Sequence, residues 1–251
     1  MKKILMLMPY FGKWPEWMNL FIESCKYNPT IDWIFFTDCG RPENKAKNVK
    51  YVKMGLKMFN KLASIRLGIS IDIKSNFKLC DFRPTYGKIF EDYLNGYDYW
   101  GWGDIDLIYG DLRRFFNEKI MKYDIISTSP TIISGPLSLL KNSPEIINLY
   151  SSIKDWKGKL KNKECIIFDE NYFSAFILKK EAYSFTSKDY KLGNLGRRII
   201  YYSPSFYKII KKLKILLSSF KNNFKANSNL SLPKIIEGKY CFMNTYATPY
   251  V

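Results

Sequence analysis

The 251-residue chain contains no histidine. That removes the side chain most often used as a general base near neutral pH, and the commonest nitrogen ligand for metals. Acid–base or metal chemistry must fall to carboxylates, tyrosines, lysines or cysteines. Cysteine is scarce too: Cys25, Cys39, Cys80, Cys165 and Cys241 are odd in number and form no CxxC pair. With no secretory segment, they read as reduced thiols of a cytosolic protein. No stretch is long and apolar enough to span a bilayer. The opening MKKILMLMPYF mimics a signal peptide, but its apolar run is short, meets Pro9 and leads into GKWPEW rather than a small-residue cleavage site. It reads better as a first buried strand. Acidic residues are also short: 23 Asp+Glu face 40 Lys+Arg, a net charge of +17. Such an excess favours phosphate-bearing partners, whether nucleotide, nucleic acid or an anionic membrane face. Lysine, asparagine and isoleucine abound everywhere, as the codons of an AT-rich genome would dictate, and that alone accounts for part of the charge.

What is present suffices for a core. Hydrophobic residues make up 47% and aromatics 17% of the chain, enough for one large domain or one domain with an appendage. Residues 3–9 read as a buried strand, and Pro15 suits the first position of a helix running to about Tyr27. IDWIFFTD (31–38) and VKYVKM (49–54) are further strands, and strand–helix–strand at this spacing predicts a parallel α/β sheet. Helices are expected over 56–68 and 84–96, then a strand in YDYWGWGD, a short helix capped by Asp111, and strands in YDIISTS and TIISGPLSLL. Pro144 opens a helix to about Trp156, and Asp169 opens another. After about residue 190 the sequence turns Lys/Asn/Ser-rich, which predicts a domain over 1–190 and a basic appendage over 191–251.

Within YWGWGDIDLIYGDL an apolar strand runs straight into Asp104 and Asp106. On an extended chain alternate residues share a side, so both carboxylates face together while Ile105 faces the core. Two hard oxygen ligands at the carboxyl end of a strand can hold Mg²⁺ or Mn²⁺, which keep waters and take further ligands from substrate phosphates. Open α/β sheets bind ligands at that end, and Gly101, Gly103 and Gly110 allow close approach. A solvated turn after a strand is the competing reading of a bare DxD.

KLCDFRPTYGKIFEDYL followed by YDYWGWGDIDLIYGDLRRFF resembles the DxD-bearing GT-A glycosyltransferases of bacterial capsule and surface-polysaccharide clusters. LMPYFGKWPEWMNLFIESCKYN, IDWIFFTD and FDENYF fit the same pattern, so the likeness runs in order over about residues 3–180. It implies a Rossmann-like, mostly parallel sheet flanked by helices. It also implies hexosyl transfer from a nucleotide-diphosphate sugar, commonly a UDP-sugar, to a surface-polysaccharide or lipid-linked glycan. Asp104 and Asp106 would then hold Mn²⁺ or Mg²⁺ against the donor diphosphate, with Gly103 and Ile105 beside it. Pro9, Tyr10 and Phe11 would line the nucleotide pocket, and Asp38 would contact base or ribose. Lys78, Asp81 and Arg83 would contact the donor, and Lys and Arg do suit phosphate; a surface salt-bridge cluster is their plainer reading. Transfer with inversion needs a base, and Asp169 and Glu170 are the leading pair. Asp169 can equally cap its helix, with Glu170 in the first turn. The resemblance further implies a histidine where Pro136 stands and a late histidine at the metal site, and the chain has neither. The alternative is therefore a degenerate, non-catalytic relative that binds only nucleotide or membrane.

In FYKIIKKLKILLSSFKNNFK (206–225) one apolar stripe opposes Lys208, Lys211, Lys212, Lys214, Lys221 and Lys225. A helix of this kind can lie on an anionic membrane, where lipid-linked acceptors would be met, or pack on the core with a solvated lysine face. The lysines are otherwise scattered and no recognition module is visible, so nucleic acid is not an expected partner.

Overall fold

Strands apolar on both sides must be covered on both sides, and the first two strands are of this kind. In the computed structural model, which describes residues 1–129 and 132–177, β1 (Ile4–Tyr10) and β2 (Ile31–Thr37) pair in parallel with Leu7 opposite Ile34. β3 (Val49–Lys53) lies parallel outside β2, and β4 (Tyr99–Gly103) lies parallel on the other side of β1. β5 (Ile125–Ser127) and β6 (Leu137–Lys141) complete the sheet in the order β3-β2-β1-β4-β6-β5. Both of these last pairings are antiparallel. The expected parallel sheet is thus mixed: the link over 128–136 is shorter than the dozen or so residues a parallel crossover needs.

Alternate residues feed two cores. Ile4, Met6, Met8, Trp33 and Phe35 point to one face, which α1 (Met18–Lys26) covers with Met18, Phe21, Ile22 and Cys25. Leu5, Leu7, Ile34, Phe36, Trp100 and Trp102 point to the other. That face is covered by α2 (Leu56–Leu67), α3 (Tyr86–Ile89), α4 (Pro144–Ile147) and α5 (Trp156–Lys161). The result is an α/β architecture compatible with a Rossmann-like fold.

The helices depart from expectation more than the strands. α1 starts at Met18, with Pro15 in the turn before it, where its carbonyl accepts from Met18 N at 3.0 Å. Instead of one helix over 84–96, a 3₁₀ segment Asn76–Thr85 runs into α3, then a second 3₁₀ turn Glu91–Tyr93. The segment from Pro144 breaks into α4, a 3₁₀ turn Leu149–Ser152 and α5. Asp155, at φ 53°, interrupts it and caps α5 by accepting from Gly158 N at 3.2 Å. Asp111 does cap its turn, Leu112–Arg114, accepting from Arg113 N at 3.1 Å. Among the described residues no helix is long and apolar enough to cross a membrane. The boundary near residue 190 and the 206–225 helix lie outside the described residues.

Candidate functional site

β1 continues to β2 on one side while β4 flanks it on the other, so the chain's order reverses between β1 and β4. Beyond the carboxyl ends of such strands a crevice opens, because the following loops diverge. Here it is a cavity of about 600 Å³. Pro9, Tyr10 and Phe11 leave β1 into one wall, and Gly103, Asp104, Ile105 and Asp106 leave β4 into another. The 3₁₀ segment contributes Cys80 and Arg83, and the stretch after α5 contributes Cys165, Ile167, Asp169 and Glu170. The two carboxylate pairs of the sequence therefore meet in one place, with Arg83 as the one cationic side chain lining it among the described residues.

Arg83 joins the pairs. Its Nη2 donates to Asp104 Oδ1 and its Nη1 donates to Asp169 Oδ2 at 3.0 Å. Burial opposes its charge, but Asp104 and then Cys80 and Asp169 hold its pKa above the ordinary value. Burial pushes the Asp104 carboxyl up, with Arg83 opposing and Asp106 adding to the rise. Burial likewise lifts Asp169 to about 6, again against Arg83. Asp169 is fully buried and its Oδ1 has no hydrogen-bond partner among the described residues. Glu170 is partly exposed, and its Oε1 accepts from Gly135 N at 2.8 Å. Asp106 is exposed and makes no hydrogen bond or ion pair among the described residues. Ile105, between the aspartates, is half-buried against the core of the α1 face, and its carbonyl accepts from Trp17 Nε1 at 3.0 Å.

Other expected donor contacts lie elsewhere. Lys78 and Asp81 form a buried pair at 2.6 Å and do not line the cavity. Asp81 also accepts from Ile166 N at 3.0 Å and Phe168 N at 2.8 Å, which pins the turn that delivers Asp169 and Glu170. That turn carries Ile167 at φ 52°, a left-handed conformation costly for a β-branched residue. Asp38 is exposed outside the cavity wall, where it accepts from Gly12 N at 2.7 Å and steadies the loop after β1. Asp169 is not a helix cap: it sits in the first turn of a π-helical segment, Asp169–Phe173, and spends its carboxylate on Arg83. π-helical turns of this kind recur at functional sites.

Several lining residues escaped sequence reasoning. Trp17, nearly half exposed, and Phe77, two-thirds exposed, stand at the cavity, and Cys80, whose thiol burial pushes up to about 11, lines it. Gly135 could have been noticed beside Pro136, since a Cβ there would crowd both Arg83 and Glu170. Pro136, standing where a histidine was expected, accepts from Asp104 N through its carbonyl at 3.0 Å.

Residues 6–225 match a family described as "Family of unknown function (DUF6625)", a span well over half of the chain. The chain belongs to that family. The matched span takes in every residue lining the cavity. No curated protein matches the chain. A family of unknown function brings no activity with it, so function must be argued from the site itself.

Proposed function

We propose that this protein is a GT-A-type glycosyltransferase that binds a nucleotide-diphosphate sugar, with UDP-sugars the first candidates, and passes the sugar to a surface-polysaccharide or lipid-linked glycan acceptor. One observation carries the reading: among the described residues, four carboxylates and one arginine line a single cavity at the carboxyl ends of β1 and β4. A diphosphate entering alone would be repelled, whereas one accompanied by a divalent cation would be balanced. The resemblance of the sequence to DxD glycosyltransferases points the same way.

The residues fit such an ion. Among the described residues no three His, Cys, Asp or Glu side chains close on one point. Asp104 and Asp106 would supply two oxygens, and Mg²⁺ commonly takes one or two carboxylates with waters and substrate phosphates. Bound there, Mn²⁺ or Mg²⁺ would stabilise the charge that develops on the diphosphate leaving group. The chain's own groups divide the remaining work. Glu170 has access to the cavity and takes the proton of the acceptor hydroxyl, replacing the absent histidine. Asp169, buried beside it, orients Arg83. Phe11, Tyr86 and Trp102 form apolar walls that exclude water and strengthen the electrostatics inside.

A second reading, a relative that binds nucleotide without transferring sugar, is favoured by the engagement of Asp104 with Arg83. Thermal-shift screening of nucleotide-sugars with and without Mn²⁺, followed by single-turnover assays, separates the two. UDP should stabilise the protein more with Mn²⁺, and Asp104→Ala or Asp106→Ala should abolish that increment. Equal UDP affinity in EDTA, or in both variants, sinks the metal-bridge reading. Binding without turnover selects the second reading, and a nucleic-acid binder would show steep salt dependence with DNA or RNA instead.

A further inference from the structure

The one cationic side chain lining the cavity among the described residues is committed to the carboxylate that a metal ion would need. Arg83, 14% exposed at its side chain, holds Asp104 through Nη2 and Asp169 through Nη1. A guanidinium fork matches phosphate as well as carboxylate. While it grips Asp104, the metal pair is half blocked, and a diphosphate would meet four carboxylates with the balancing arginine already engaged.

Resting on the donor-site reading above, we propose that Arg83 is a resident cation: it occupies Asp104 until a divalent ion takes its place, and then passes to the diphosphate. Asp169 is the fixed post of this exchange. It is fully buried and bound to the other arm of the fork, so the guanidinium can leave Asp104 without leaving the cavity. The contact between Arg83 and Asp104 is broken once, by whichever ligand arrives first, and the second ligand binds to groups already freed. Ion and diphosphate therefore bind cooperatively, each tightening the other by the same factor. An arginine that kept its partners would add its charge to each ligand's affinity separately and contribute nothing to the coupling.

Pyrophosphate and Mn²⁺ serve as probes, read by calorimetry. In EDTA, pyrophosphate is titrated into wild type, Asp104→Asn and Asp106→Asn. Both variants remove the same charge, but only Asp104→Asn releases Arg83. It should bind pyrophosphate about tenfold or more tightly than Asp106→Asn does, within the usual range of coupling between sites. Equal affinities in the two variants overturn the proposal while leaving the donor-site reading standing. In the second arm, Mn²⁺ is titrated into wild type and Arg83→Gln, alone and with saturating pyrophosphate. The tightening of Mn²⁺ by pyrophosphate should shrink about tenfold in Arg83→Gln, and an unchanged ratio overturns the exchange. If Arg83→Gln does not fold, the first arm decides alone. No binding of Mn²⁺ and pyrophosphate together to wild type would overturn both this proposal and the reading it rests on.

Discussion

Replacing Asp81 with asparagine should cost the fold about 3–5 kcal/mol, the usual effect of removing one partner of a buried ion pair. The side chains of Lys78 and Asp81 are 3% and 0% exposed, so almost no solvent screens them. Asp81 answers the Lys78 ammonium and two backbone amides, at 166 and 168. An asparagine keeps one oxygen and turns an NH₂ group toward those donors, so at least one buried amide loses its acceptor. Among the described residues the Lys78 charge would be left with the carbonyls of Glu164, at 2.9 Å, and Lys159, at 3.4 Å. In a chain of this size each kcal/mol moves the melting temperature by ~2–4 °C, so a shift of about 10 °C is expected. Lys78→Met should cost less, because the carboxylate it leaves behind keeps both backbone donors. Urea unfolding followed by tryptophan fluorescence measures both losses. A loss below about 1 kcal/mol for Asp81→Asn would falsify the clamp, and a larger loss for Lys78→Met would refute the role given to the amides. Because the clamped turn leads directly into Asp169 and Glu170, Asp81→Asn should also weaken Mn²⁺-dependent UDP binding well below its melting temperature.

Asp169 should give the stability curve an unusual sign: its folded pKa of about 6 lies above the ordinary 3.8, so its contribution is present at low pH and lost as pH rises through 6. Between pH 7 and pH 4, wild type should gain about 2–3 kcal/mol relative to Asp169→Asn in urea melts, and a relative loss on acidification would contradict the burial argument. Gly87→Ala should destabilise by ~1–3 kcal/mol although alanine is the better helix former, because a Cβ there would stand 2.5 Å from the Trp100 ring; an unchanged melting temperature refutes this packing. If residues 206–225 hold the protein to an anionic membrane face, co-sedimentation with anionic vesicles should disappear when Lys208, Lys211 and Lys212 become glutamate. Equal partitioning of wild type and variant would refute the membrane role of this segment.

The first four strands were legible to within a residue or two because both faces of the sheet are buried, which forces continuous apolar runs such as ILMLMPY and IDWIFFT, whereas the strand expected from TIISGPLSLL begins only at Leu137. The helices over 84–96 and 144–156 were over-read, since apolar spacing does not separate an α-helix from consecutive 3₁₀ turns. The same geometry explains the donor contacts expected of Lys78, Asp81 and Arg83. In a 3₁₀ segment residues three apart eclipse one another, so Lys78 and Asp81 share one buried edge, while Arg83, two residues on, faces the cavity.

The sequence by itself determined the two buried sheet faces, the aspartate pair at the end of β4, and the burden placed on carboxylates by the lack of histidine. Those follow from local periodicity and composition. Only the tertiary structure decided that Asp169 and Glu170 share a cavity with Asp104 and Asp106, that Asp169 serves an arginine rather than a helix end, and that Lys78 and Asp81 brace a turn. The bond from Arg83 to Asp169 spans 86 residues of sequence, and Asp81 reaches Phe168 across 87. No local rule connects positions so far apart; the layering of helices on the sheet brings them together.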